Sequence, residues 1–199
     1  MELNTGDLLL CRGTSWLSRI LEYVGQSKYS HVGIILKNPK FLCDTLEDGL
    51  YVWDASYSTI PEEEHKTRLY GVQIHKLSDY IASYEPNLLF VRRVSCDRDK
   101  HFYQDLTNIH RDVHAKPYNL HVFDWIMAKL NLSTPFPISS LWKQTSRFWC
   151  SALISYIYFR LGWISDVNWS LVAPREFSKE STGQILFTCI LSDEEPLIL

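Results

Sequence analysis

The chain is poor in the features that mark several common protein classes. It has five cysteines in 199 residues, Cys11, Cys43, Cys96, Cys150 and Cys189. They are odd in number, scattered and without a C-x-x-C pair, which argues against a disulfide framework and a structural zinc site and predicts reduced thiols. No run of five like charges occurs, and 20 basic against 23 acidic residues leave a net charge of -3. Nucleic-acid binding by counterion release therefore has no electrostatic basis, and no nucleic-acid partner is expected. No apolar run approaches the length of a bilayer span, and the opening Met1-Glu-Leu-Asn-Thr-Gly-Asp7 lacks the basic start and apolar stretch of a signal peptide. The expectation is a soluble, cytoplasmic protein. Internal repeats and low-complexity tracts are absent as well.

What is present is core material: 46% of residues are apolar and 14% aromatic, enough for one domain over residues 1–199. Asp7-Leu-Leu-Leu-Cys11 reads as a buried strand, and Trp16, Leu17, Ile20, Leu21 and Val24 recur at helical spacing up to Gly25. His31-Val-Gly-Ile-Ile-Leu36, Leu50-Tyr-Val-Trp-Asp-Ala-Ser56, the half-buried alternation Gly71–Leu77 and the run Leu88–Val94 read as further strands, with a short helix over Ser78–Tyr84. The polar stretch Tyr57–Leu69, with Glu62, Glu63 and Glu64, reads as an exposed loop carrying a solvated charge cluster. From Asp97 to Leu130 the pattern is helical, broken at Pro117, and Thr134–Gln144 is a loop. A last helix spans about Arg147 to Leu161 with Gly162 as its C-cap, and Ile185–Leu191 reads as a closing strand. The class is α+β.

The chemistry turns on Cys150, placed in the first turn of that helix, where unpaired amides and the helix dipole lower a thiol's pKa. A thiolate attacking an amide or ester also needs a base near neutral pH, which is histidine's role. Of the seven histidines, His31 opens an apolar strand, and Asp54 lies in another strand where an unpartnered acid would be costly. An acid on one ring nitrogen leaves the other free for the thiol, so Cys150, His31 and Asp54 form a chemically complete set. The bland readings are a core cysteine and a strand-end aspartate capping a turn. His110 and His114 have the i, i+4 spacing of a metal pair. No glutamate follows His110 in the zincin manner and no third ligand is suggested. They read as exposed helix histidines, and neither a metal nor a cofactor is expected.

Five segments in order, Gly6-Asp-Leu-Leu-Leu10, Tyr29-Ser-His-Val-Gly-Ile-Ile35, Val52-Trp-Asp-Ala55, Lys116-Pro-Tyr-Asn119 and Trp149-Cys-Ser-Ala-Leu-Ile154, resemble the motifs of a known family. It is the circularly permuted branch of the NlpC-type papain-like cysteine peptidases and amidases, which includes YiiX-like bacterial hydrolases, a group of poxviral proteins and, more distantly, lecithin:retinol acyltransferase relatives. With Leu171-Val-Ala-Pro174 the resemblance spans roughly residues 6 to 180. It implies a permuted papain-like fold, an antiparallel sheet or partial barrel packed against helices, with the histidine strand preceding the cysteine helix. It carries the nucleophile to Cys150, the base to His31 and the orienting acid to Asp54, where relatives usually have glutamate. Tyr118 matches a position near the cleft, as a pocket or oxyanion contributor or as a packed aromatic; the Cys150 amide is the firmer oxyanion donor.

The implied activity is a thiol hydrolase that cleaves an amide, peptide or lipid ester through an acyl-enzyme. Trp125, Phe136, Trp142, Phe148 and Trp149 are either groove-lining or core aromatics. Two other functions fit the same pattern. One is a catalytically silent binding protein on the same fold. The other is a membrane-surface lipid acyltransferase, for which Trp142-Lys-Gln-Thr-Ser-Arg147 is the candidate contact. Oligomeric state is not legible.

Overall fold

The computed structural model describes residues 2–57, 60–117 and 148–198. Strand β1 (Leu8–Cys11) is buried at every residue, as a strand covered on both faces must be. Helix α1 (Trp16–Gly25) starts where the Ser15 side chain accepts from the Ser18 amide and stops at Gln26, which is left-handed. Strands β2 (His31–Lys37), β3 (Leu50–Tyr57) and β4 (Tyr70–Lys76) follow, then helix α2 (Leu77–Ala82) and strands β5 (Leu89–Arg92) and β6 (Val94–Ser95). Helices α3 (Lys100–Val113) and α4 (Cys150–Arg160) precede the two-residue strands β7 (Ile190–Leu191) and β8 (Glu195–Pro196). The main sheet is antiparallel, in the order β4-β3-β2-β1-β5-β8. No helix among the described residues is long and apolar enough to cross a membrane.

The two-residue period of the strands sorts their side chains onto two faces. Leu8, Leu10, Ile34, Trp53, Ala55 and Ile74 pack with Leu106 and Ile109 of α3 and Leu153 and Ile157 of α4. Leu9, Cys11, Ile35 and Val52 pack instead with Leu77 and Tyr80 of α2. Each fully buried aliphatic side chain contributes roughly 1.5–3 kcal/mol. Helix α4 is buried almost all round, including Ser151, Ser155 and Tyr158, which marks it as central rather than amphipathic.

Several expectations are corrected by tertiary contacts. Leu88–Val94 is not one strand: the chain leaves β5 after Arg92 and pairs β6 with β7 in a separate two-stranded sheet. The tail 185–191 is strand only at its end, apart from a Phe187–Ile164 bridge. Cys96 and Cys189 are not free thiols; they form a disulfide with Cα atoms 5.4 Å apart, inside the range a disulfide requires. Strand β4 is not half-exposed, since Gln73 and His75 are as buried as Val72 and Ile74. Within the 57–69 stretch the glutamates are not a solvated charge cluster: Glu62, Glu63 and the Glu64 side chain are all withdrawn from solvent. Glu62 is fully buried and accepts from the Glu64 amide at 2.9 Å and the His65 amide at 2.5 Å, so a carboxylate serves as an internal loop cap. His110 is buried rather than exposed, its Nε2 2.6 Å from Glu64 Oε1.

Candidate active site

His31 begins β2 directly after the buried Tyr29-Ser30 pair. The β2–β3 register sets Ile34 opposite Trp53; continued one step, it sets Gly33 opposite Asp54 and leaves His31 on the same face, one diagonal away. A side chain at Gly33 would crowd this crossing, because its Cβ would lie 3.3 Å from Asp54 Cβ and 3.0 Å from Val52 Cγ1. The imidazole thus reaches across a bare backbone position, and its Nε2 donates to Asp54 Oδ2 at 2.8 Å.

Asp54 is fully buried, a position a carboxylate tolerates only with its lone pairs satisfied. Tyr80 Oη donates to Oδ2 at 3.0 Å and Ser56 Oγ to Oδ1 at 3.1 Å, while Gln73 Nε2 donates to Ser56 Oγ at 2.6 Å. Ser56 and Gln73 were discoverable from the sequence: Ser56 is two residues from Asp54 on one strand, and Gln73 faces Asp54 in the β3–β4 register. Tyr80 comes from α2 and had no local signal. Cys11 also sits in this shell, its Sγ 3.8 Å from Tyr80 Oη, and burial pushes its thiol up to about 11. That leaves Cys11 an inert packing group.

Cys150 is the first residue of α4, after Trp149, whose side chain supplies no cap. The first-turn amides are therefore not satisfied by a capping side chain, which suits them to stabilise negative charge at the thiol or on a bound oxyanion. Helix α4 packs on β2 and β3, bringing its N-terminus to His31. Burial disfavours the His31 imidazolium, yet Cys150, acting by charge and as a hydrogen-bond partner, and Asp54 together outweigh it. They hold the imidazole well above its ordinary value. Since Nε2 is committed to Asp54, Nδ1 is the nitrogen left for the thiol.

The structure therefore brings Cys150, His31 and Asp54 together. Tyr118 lies outside the described residues, as do Trp125, Phe136, Trp142 and the 142–147 segment. The last described residues before Tyr118 pair with strand β4 and with Phe148: the Lys116 carbonyl accepts from the Val72 amide at 2.9 Å, and the Pro117 carbonyl from the Phe148 amide at 3.3 Å. Phe148 and Trp149 are buried core residues.

No protein-family model matches the chain, and no curated protein matches it. Among solved structures it is similar to the metalloprotein yiiX from Escherichia coli O157:H7, at 22% sequence identity and a TM-score of 0.54 over 81% of this chain and 68% of that one. At that identity the likeness is one of fold, a mixed α+β architecture with an antiparallel sheet packed against helices, which this chain shares.

Proposed function

We propose that this protein is a thiol hydrolase of the permuted papain-like type, cleaving an amide, peptide or lipid ester. The observation that carries the reading is the buried relay from Asp54 through His31 to a cysteine at a helix N-terminus. The order of histidine strand before cysteine helix supports the permuted assignment. In the reaction the Cys150 sulfur attacks the carbonyl carbon, and the oxyanion so formed is stabilised by the Cys150 amide. His31, protonated and steadied by Asp54, gives its proton to the leaving amine or alkoxide as the carbon–heteroatom bond breaks, leaving a thioester. Water then loses a proton to His31 and attacks the thioester. The carboxylic acid departs, and the sulfur recovers its proton from His31.

Helix α1 favours a lipid acyl donor among these substrates, because Trp16 and Tyr23 are 72% and 79% exposed beside Ile20, while the neighbouring Arg19 is paired with Glu22. Exposed aromatic and aliphatic side chains together suit the edge of a lipid surface.

The test is the rate at which each cysteine reacts with iodoacetamide between about pH 5 and 9, read by peptide mass spectrometry, where ordinary thiols titrate near ~8.5. Cys150 is expected to outpace Cys43 and Cys11 below that value and to slow in His31→Ala. Incubation with activated esters of increasing chain length should then add one acyl mass, on Cys150 alone. A Cys150 no faster than Cys43, or indifferent to His31, overturns the proposal and leaves a binding role on the same fold.

A further inference from the structure

On the opposite side of β3 from Asp54, the structure assembles a second cluster that the thiol chemistry does not use. His110 and His114 stand one turn apart at the end of α3, with ring centroids 4.8 Å apart. Glu64, from the β3–β4 connection, reaches both: Oε1 lies 2.6 Å from His110 Nε2 and Oε2 lies 3.3 Å from His114 Nε2. The donor atoms of all three residues lie within 4.8 Å of one another.

We infer that Glu64, His110 and His114 bind one divalent transition-metal ion, with Zn²⁺ the best match, and that the ion pins the β3–β4 connection to α3. Two imidazoles and one carboxylate are the donor set of three-ligand zinc centres, whose fourth position is left to solvent. The imidazoles disfavour Mg²⁺ and Ca²⁺, which prefer oxygen. Bonds of ~2.0–2.1 Å in a tetrahedron set donors ~3.3 Å apart. The Glu64–His114 pair already has that spacing; on binding, His110 exchanges its 2.6 Å hydrogen bond with Glu64 for a bond to the ion, and the donors, now within 4.8 Å of one another, adjust to the common ~3.3 Å spacing.

Three further features set this cluster apart from a chance surface grouping. His114 Nε2 is buried and, although 3.3 Å from Glu64 Oε2, makes no hydrogen bond among the described residues, which leaves a ligand atom aimed into the cluster. Glu64 and His110 side chains are each only 6% exposed, where a carboxylate and an imidazole are held for a reason. The surrounding residues fix the donors: Glu62 accepts from the amides of Glu64 and His65, which flank the Glu64 Cα, Trp53 packs edge-on against His110 at 5.7 Å, and His65 stacks on His114 at 5.0 Å. Supporting groups of this kind orient metal ligands in preformed sites. His114 and His65 are the partly exposed members, so the ion would enter from their side.

The test uses the full chain, stripped with chelator and titrated with Zn²⁺ by calorimetry, with bound metal counted by mass spectrometry. One ion per chain is expected in wild type and in Cys150→Ser. Affinity should fall at least ~10-fold in Glu64→Gln and His114→Gln, since loss of a ligand costs no less than loss of an outer-shell partner. Both of these variants spare the buried His110, and circular dichroism checks their folding. Co²⁺ substitution should give visible ligand-field bands without a thiolate charge-transfer band. The inference is overturned if wild type binds no Zn²⁺, if Glu64→Gln and His114→Gln bind as wild type does, or if Cys150→Ser abolishes binding. The last result would place the ion at the thiol and count against the hydrolase reading instead.

Discussion

Replacing Asp54 by asparagine keeps the side-chain shape while removing the charge that the imidazole meets. In the folded protein the carboxylate accepts from His31 at 2.8 Å, Tyr80 at 3.0 Å and Ser56 at 3.1 Å. An amide oxygen can still accept from His31, but a bond to a charged group worth ~1.5–3 kcal/mol becomes a neutral one worth ~0.5–1.5. The amide NH₂ also has to face Tyr80 or Ser56, whose hydroxyls must turn to accept from it. The imidazolium therefore loses about 1–1.5 kcal/mol of support, which corresponds to a roughly 5- to 13-fold fall in the rate of Cys150 alkylation near pH 6. Near pH 9, where thiols ionise without help, the two proteins should converge. The assay is per-cysteine iodoacetamide kinetics, with a urea unfolding curve as control. An unchanged Cys150 rate at pH 6 in a folded Asp54→Asn protein refutes the orienting role. A parallel slowing of Cys43 would show a global change and refute it equally.

Two further outcomes follow from the same contacts. The His31 value in the folded state lies above that of the unfolded chain, near ~6.5, so the folded protein holds the proton more tightly. Its contribution to stability is complete below about pH 6.5 and fades as pH rises through the folded value. The unfolding free-energy gap between wild type and His31→Gln should therefore shrink from pH 6 to pH 9 in urea titrations, and a gap that grows with pH contradicts the ion pair. The Cys96–Cys189 disulfide closes a separation of 93 residues, worth about 4–5 kcal/mol by chain entropy. Reduction or Cys96→Ser should lower the urea midpoint accordingly, and free reactivity of both cysteines in the unreduced protein would refute the bond.

Local pattern carried much of this molecule. The apolar runs of β1, β2 and β3 and the capped start of α1 were legible because strands and helices impose their own periods on neighbouring residues. Cys150 at a helix start and His31 at a strand start were legible for the same reason. The partners of Asp54 were half legible: Ser56 and Gln73 follow from strand alternation and register, whereas Tyr80 arrives from a helix 26 residues away. Tertiary structure alone decided the rest. Glu64 meets His110 across 46 residues, and Cys96 meets Cys189 across 93, and no short-range spacing records such meetings. The three glutamates read as solvated because composition reports a residue's polarity and not what surrounds it. Only the packed chain, with Glu62 capping its own loop and Glu64 set between two imidazoles, shows that these charges are buried because each has found a partner.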